Sequence, residues 1–193
     1  MKIIEHIHGS NNMQLVIAHM TSIAMSDDKK TTQQFYINQL LSFMLGDPIH
    51  YSKDEYGKPY LTNNPYHISI SHSKEYLAVM ISEKNCGIDL QYLTPKVTRV
   101  RNKFLSEMEI NYLVEKQSLY QLTILWCAKE AVYKQNGRQK LEFKNAMQIS
   151  PFIYAKEGHL SCRLLTHEID ENISLYYKSY ELDGDTYILV FTN

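Results

Sequence analysis

Glycine and proline are scarce, at seven and five of 193 residues. So few turn-formers exclude a collagen-like or a Gly/Pro-rich disordered chain. No Gly-rich loop ends in Lys-Ser or Lys-Thr, which excludes the familiar phosphate cradle of nucleotide hydrolases. Cysteine is nearly absent. Cys86, Cys127 and Cys162 are odd in number and lack metal-type spacing, so they read as free thiols of a reducing compartment. No apolar run approaches membrane-spanning length, and no basic region followed by an apolar run opens the chain. A cytoplasmic protein with no membrane partner is expected. Neither sign of charge prevails: Lys plus Arg number 20, Asp plus Glu 21, and the formal net charge is -1. That balance gives no global reason to expect a nucleic-acid partner.

What is present is patterned. Tyrosine is abundant, at 15 residues, which suits half-buried strands. Strands are predicted at Lys2 to Ile7, Gln14 to Met25 and Ile49 to Lys53. Ser26-Asp27-Asp28 reads as a helix start, and Thr31 to Leu45 as a helix stopped by Gly46. His67 to Ser73 alternates polar and apolar, and Tyr76 to Ser82 returns as its hairpin partner. Cys86 to Gln91 is a third short strand, with Asp89 and Gln91 on one side. Tyr92 to Val100, containing Pro95, reads as a loop. Ser106 and Glu109 form a capping box opening a helix to about Glu115. Ser118 to Gln135 lacks Pro and Gly and reads as a helix. Asp183-Gly184-Asp185 marks a hairpin between strands at 174–182 and 186–191. Glu75 to Met80 resembles Thr186 to Phe191, each the return strand of a hairpin. The pattern is α+β, with two similar α/β subdomains, 1–95 and 96–193, packed as a pseudo-dimer around a cleft.

The polar groups point to one chemistry. Trp126, Glu130 and Lys134 fall four apart and share a helix side. Taken alone, Glu130 and Lys134 would be a solvated surface pair. Asp89, however, sits in the apolar strand Gly-Ile-Asp-Leu, where a carboxylate needs a partner or a metal. Two carboxylates with positions left for water suit Mg²⁺ shared with phosphate oxygens. Lys58, His72, Lys129 and Lys134 are candidate phosphate contacts, and Ser71 adds a hydroxyl. The residues describe a Mg²⁺-dependent site for a polyphosphate or pyrophosphate.

Gly57-Lys58-Pro59, Ile70-Ser71-His72-Ser73, Gly87-Ile88-Asp89-Leu90, Phe104 with Glu109, and Trp126-x-x-Lys129-Glu130-Ala131-x-x-Lys134 resemble, in order, the motifs of the Sfp-type 4'-phosphopantetheinyl transferases. The resemblance spans Gly57 to Lys134 closely and the C-terminal part loosely. It implies transfer of the phosphopantetheine arm of coenzyme A to a serine of an acyl or peptidyl carrier protein, with release of 3',5'-ADP. It implies that Asp89 and Glu130 hold Mg²⁺, that Glu130 helps deprotonate the carrier serine, and that Lys134 contacts the phosphates. His72 would bind the 3'-phosphate of coenzyme A, and Lys58, Ser71 and Lys129 would serve the cofactor. It also implies a monomer, because a duplicated chain forms internally the cleft that shorter relatives form between subunits.

Two departures stand out. The family pattern has an acidic residue two positions after the Asp, and here it is Gln91, a neutral ligand that binds weakly or through water. The N-terminal half offers only Lys29 and Lys30 in place of a dense basic cluster. They favour an alternative reading: a non-catalytic or weakly active relative that binds coenzyme A or a carrier protein. Arg99, Arg101 and Lys103 form a basic run that could meet an acidic carrier surface.

Overall fold

A computed structural model of the chain describes residues 1–20, 29–46, 48–113, 118–137 and 141–192. The predicted helix start at Ser26-Asp27-Asp28, the stretch from Thr21 to Met25, the Lys29 side chain and the helix end at Glu115 lie outside them. The first sheet contains β1 (Lys2–His8), β2 (Gln14–His19), β3 (Tyr51–Lys53), β4 (Pro59–Leu61), β5 (His67–Ser73) and β6 (Tyr76–Ser82), ordered β1-β2-β6-β5-β4-β3. The second contains β7 (Ile88–Tyr92), β8 (Met147–Ile149), β9 (Glu157–Leu165), β10 (Asp170–Leu182) and β11 (Asp185–Thr192), ordered β7-β11-β10-β9-β8. All pairings are antiparallel.

The layers explain the apolar runs. β2 and β6 are covered on both faces, so they lack clean alternation. Val16, Leu77, Val79 and Ile81 pack under α1 (Lys29–Leu45), against Tyr36, Leu40 and Leu41. Leu15, Ile17, Ala78 and Met80 point the other way and meet Ile88, Leu90, Leu189 and Phe191 of the second sheet. On that sheet's far face, Ile188 and Val190 pack under α4 (Ser118–Gln135). The order is helix, sheet, sheet, helix, an α+β architecture of two similar halves.

The similarity extends to topology. In the first half a strand (β2), a helix (α1) and four strands follow in order, and the sheet reads β2-β6-β5-β4-β3. In the second, a strand (β7), helices ending in α4 and four strands give β7-β11-β10-β9-β8. The repeat therefore turns over between β6 and β7, not at residue 95. β7 lies before that division in the chain, yet it hydrogen-bonds in the second sheet beside β11.

The loop expected at Tyr92 to Val100 is half helix. α2 (Lys96–Phe104) starts at Pro95, and α3 (Glu107–Asn111) follows. Proline pre-sets a helical φ, and Val97 and Phe104 are buried against α4, which holds a short cationic segment helical. The Ser106–Glu109 capping box is present in both directions.

Candidate active site

The two sheets are joined by side chains. Ser69, Ser71 and Ser73 alternate along β5 and face the outer edge of β7. Their hydroxyls accept the backbone N–H groups of Ile88 (3.1 Å), Leu90 (3.1 Å) and Tyr92 (2.8 Å). An edge strand has a row of donors that need acceptors, and three serines at period two supply them. Ser71 then uses its own proton, donating to Asp89 Oδ1 at 2.7 Å.

Asp89 is buried, and its second partner comes from α4. Lys134 Nζ donates to Asp89 Oδ1 at 2.8 Å and to the Ile88 carbonyl at 2.9 Å. The approach of strand to helix depends on Gly87. A Cβ there would sit 1.9 Å from the Ala131 carbonyl oxygen and 2.9 Å from the Gln135 nitrogen. Glu130 lies one turn before Lys134 on the same side of α4. Burial raises the Cys127 thiol pKa far above its usual range, and the Asp89 and Glu130 carboxylates add to that effect. Gln91 shares Asp89's side of β7, and its amide lies 3.4 Å from the Tyr92 carbonyl. Asp89, Ser71 and Lys134 are thus in direct contact, with Glu130 and Gln91 on the flanking positions.

Lys129 is elsewhere. It is fully buried, and its ammonium donates to Glu109 Oε2 (2.7 Å), the Phe104 carbonyl (2.6 Å) and the Phe143 carbonyl (2.9 Å). Three donors meet three acceptors, so none is left for a phosphate. The cofactor role expected for Lys129 is replaced by a structural one, because the helix turns it about 100° from Glu130 and into the core. Glu109 is satisfied too, accepting from Ser106 N and Ile149 N. Trp126 packs its ring against Phe104 and Phe143.

His72 leaves β5 on the face opposite Ser71. It is exposed at the rim of a cavity of about 410 Å³ between α1 and β3–β5, whose lining includes Lys30, Lys53, Tyr51 and Ile70. Partial burial lowers the His72 pKa, and the charges of Lys134 and Lys53 lower it further, against the pull of Asp89. Lys53 was missed by sequence reasoning. It sits in a three-residue strand whose only signal is its closeness to Gly57-Lys58-Pro59. Lys58 does not line this cavity. The Asp54 carboxylate caps the turn, accepting from Tyr56 N and Lys58 N, and Gly57 adopts φ 81°. That turn sends Lys58 across to Asn85 Oδ1 (3.2 Å) and the Gln135 carbonyl (3.1 Å) at the end of α4. Burial lowers its pKa, while Cys86 and Asp54 oppose the shift.

A family model described as the 4'-phosphopantetheinyl transferase superfamily matches residues 85–191, more than half of the chain. The chain belongs to the 4'-phosphopantetheinyl transferase superfamily. A 4'-phosphopantetheinyl transferase of Bacillus subtilis is 30% identical over 139 residues, covering 66% of this chain and 61% of the relative. The 4'-phosphopantetheinyl transferase Sfp of Bacillus subtilis (strain 168) is 28% identical over 134 residues, covering 63% and 59%. The 4'-phosphopantetheinyl transferase gsp of Aneurinibacillus migulanus is 31% identical over 106 residues, covering 53% and 44%. The chain thus matches about three fifths of the length of the first two relatives. The superfamily match begins at residue 85, where the second topological repeat begins.

The Asp89 carboxylate is placed to hold a cation. Asp89 already carries one, the Lys134 ammonium, on a buried oxygen. Glu130 and the Gln91 amide add only oxygen ligands, the set that Mg²⁺ prefers. Among the described residues no three His, Cys, Asp or Glu side chains cluster as a self-sufficient metal centre. Among the described residues, no helix is long and apolar enough to cross a membrane.

Proposed function

We propose that the chain transfers the 4'-phosphopantetheine group of coenzyme A to a serine of an acyl or peptidyl carrier protein, releasing 3',5'-ADP. It acts in the cytoplasm as a monomer, a holo-carrier-protein synthase. The observation that carries this reading is the Ser71–Asp89–Lys134 contact, made where the two halves of a superfamily member meet.

In the reaction the serine oxygen bonds to the phosphorus bearing the pantetheine arm. The pyrophosphate bridge breaks, and charge collects on the departing 3',5'-ADP. Asp89 and Glu130, with Gln91 acting weakly or through water, would hold Mg²⁺, which would supply neutralisation of the pyrophosphate charge. Glu130 takes the serine proton, directly or through a water. Lys134, held on Asp89 Oδ1, stabilises charge on the leaving side. Ser71 fixes Asp89 and lies beside the nucleotide path, with Lys58 at the same cleft. His72 receives the 3'-phosphate at the rim of the cavity that Lys53 and Lys30 also line. Lys129 holds α3 to α4 and takes no part in cofactor binding.

Purified protein is incubated with apo carrier protein, coenzyme A and Mg²⁺, and intact mass is read. A gain of one phosphopantetheine that disappears in Asp89→Ala and Glu130→Ala supports the transferase. Gln91 favours a second reading, a relative that binds carrier or coenzyme A without turnover. Binding with no mass gain selects it.

A further inference from the structure

The last turn of α4 is closed by an ammonium from the other half of the molecule. A helix leaves its final carbonyls without intrahelical donors. In α4 the Val132 carbonyl accepts from Asn136 N at 2.9 Å, and the Lys134 carbonyl from Gly137 N at 3.2 Å. The Gln135 carbonyl accepts from Lys58 Nζ at 3.1 Å. Lys58 stands on a fixed base, the turn between β3 and β4. There the Asp54 N–H donates to the Lys58 carbonyl and the Gly57 N–H to the Asp54 carbonyl, each at 3.0 Å. Lys58 enters no ion pair among the described residues. Asp54 Oδ1 is taken up by two backbone N–H groups, and burial pushes the Cys86 thiol up to about 12, which keeps it neutral. The bonds of the ammonium go to neutral oxygens, Asn85 Oδ1 and the Gln135 carbonyl, at the helix end where a cation is favoured.

Both partners adjoin the candidate site. Gln135 follows Lys134, whose ammonium bonds Asp89 and the Ile88 carbonyl. Asn85 comes two residues before Gly87, which lies against Ala131 and Gln135 at the entry to β7. One ammonium therefore ties the end of α4 to the start of β7. Terminal helix turns fray unless they are tied down. A frayed last turn would free Lys134 from Asp89 and break the Ser71–Asp89–Lys134 contact.

We infer that Lys58 is a positioning residue: its ammonium caps α4 and holds Lys134 against Asp89, and it does not contact the cofactor. Its effect on rate rests on the transferase reading, whereas its effect on Lys134 does not. One N–H of Lys58 lies outside these two bonds. A phosphate contact through that N–H is the rival role, and coenzyme A affinity separates the two.

Coenzyme A affinity is measured by calorimetry without carrier, and kcat by intact mass at saturating coenzyme A and carrier. Lys58→Met lowers kcat about tenfold and leaves the Kd for coenzyme A within about twofold. Lys58→Arg, which keeps a cation at the helix end, recovers most of kcat. Added to Lys134→Met, Lys58→Met lowers kcat no further, because it acts through that ammonium. A raised Kd for coenzyme A with kcat unchanged makes Lys58 a phosphate contact and overturns the inference. Losses that multiply in the double variant overturn it too. The Lys134 ammonium is also followed by its proton–nitrogen NMR signal, assigned by its loss in Lys134→Met. That signal broadens in Lys58→Met and returns in Lys58→Arg, and an unchanged signal in Lys58→Met overturns the inference. If the wild type never modifies the carrier, the transferase reading fails and this signal alone decides whether Lys58 positions Lys134. Circular dichroism checks that each variant is folded. Asn85→Ala removes one acceptor, gives a smaller loss of the same kind, and serves as the test if Lys58→Met does not fold.

Discussion

The two halves of the molecule share a topology but differ in the side chains at matching positions. The β5–β6 hairpin closes at Ser73 and Tyr76, and the β10–β11 hairpin at Leu182 and Asp185. Ile81 lies five residues after Tyr76 and pairs with Gln14, while Val190 lies five after Asp185 and pairs with Asp89. Gln14 is thus the counterpart of Asp89. Each reaches toward the end of its own helix. Gln14 donates to the Met44 carbonyl of α1 at 3.2 Å, a neutral bond to backbone. Asp89 accepts from Lys134 of α4. The same backbone position is a strut in one half and a charged site in the other. The fold supplies the place, and one side chain at that place supplies the charge.

The comparison can be broken most severely by making the halves alike. Asp89→Gln copies Gln14 into the second half. Loss of the buried charge should lower kcat/KM for carrier modification by about 10³-fold, roughly 4 kcal/mol. The melting temperature should move little, since the amide still bonds Ser71. A large fall in melting temperature with activity retained would contradict this. The two lysines of α4 sharpen the same point. Lys129→Met leaves Glu109 buried and unpaired, and should cost about 3–5 kcal/mol of stability in urea unfolding. Lys134→Met opens a pair whose side chains are 11% and 9% exposed rather than fully buried, and should cost less, about 1–3 kcal/mol of stability, while lowering kcat about 10²-fold. Equal stability losses would erase the distinction between a core pair and a site pair.

A smaller effect belongs to the contact that sets the distance between strand and helix. Gly87→Ala would force apart β7 and α4, costing about 1–3 kcal/mol of stability. Activity should fall with it, because Asp89 and Lys134 separate. An unchanged melting temperature would reject that account. The smallest effect concerns pH. Burial and two lysines hold His72 below the usual 6.5, so it is neutral in the free protein at neutral pH. A bound phosphate favours the protonated ring and raises its pKa, so binding takes up a proton in the window around 6.5. The KM for coenzyme A should therefore be a few-fold lower at about pH 6 than at about pH 8. His72→Gln should flatten that dependence, and a persistent slope would assign the proton to another group.

Local signals in the chain reach far. The alternation of His67 to Ser73, the capping box at Ser106 and Glu109, and the unbroken apolar spacing of 118–135 specify elements that the structure contains. They succeed because hydrophobic period and capping act over a few residues. The helix at Lys96–Phe104 was not legible, because its stability comes from Val97 and Phe104 packing on α4 and not from its own cationic sequence. The serines of β5 look like ordinary polar positions until β7 lies beside them.

By itself the sequence determined which groups are available: Asp89 in an apolar strand, Glu130 and Lys134 on one helix side, Gln91 where an acid is usual, and the ordered motifs that carry the family. Tertiary structure alone decided which groups meet. It carried Lys129 into the core against Glu109, joined β7 to the second sheet, sent Lys58 across to the end of α4, and set Lys53 beside His72. Side-chain period is a local property of the backbone. The partner that a side chain finds is fixed by packing between segments far apart in the chain.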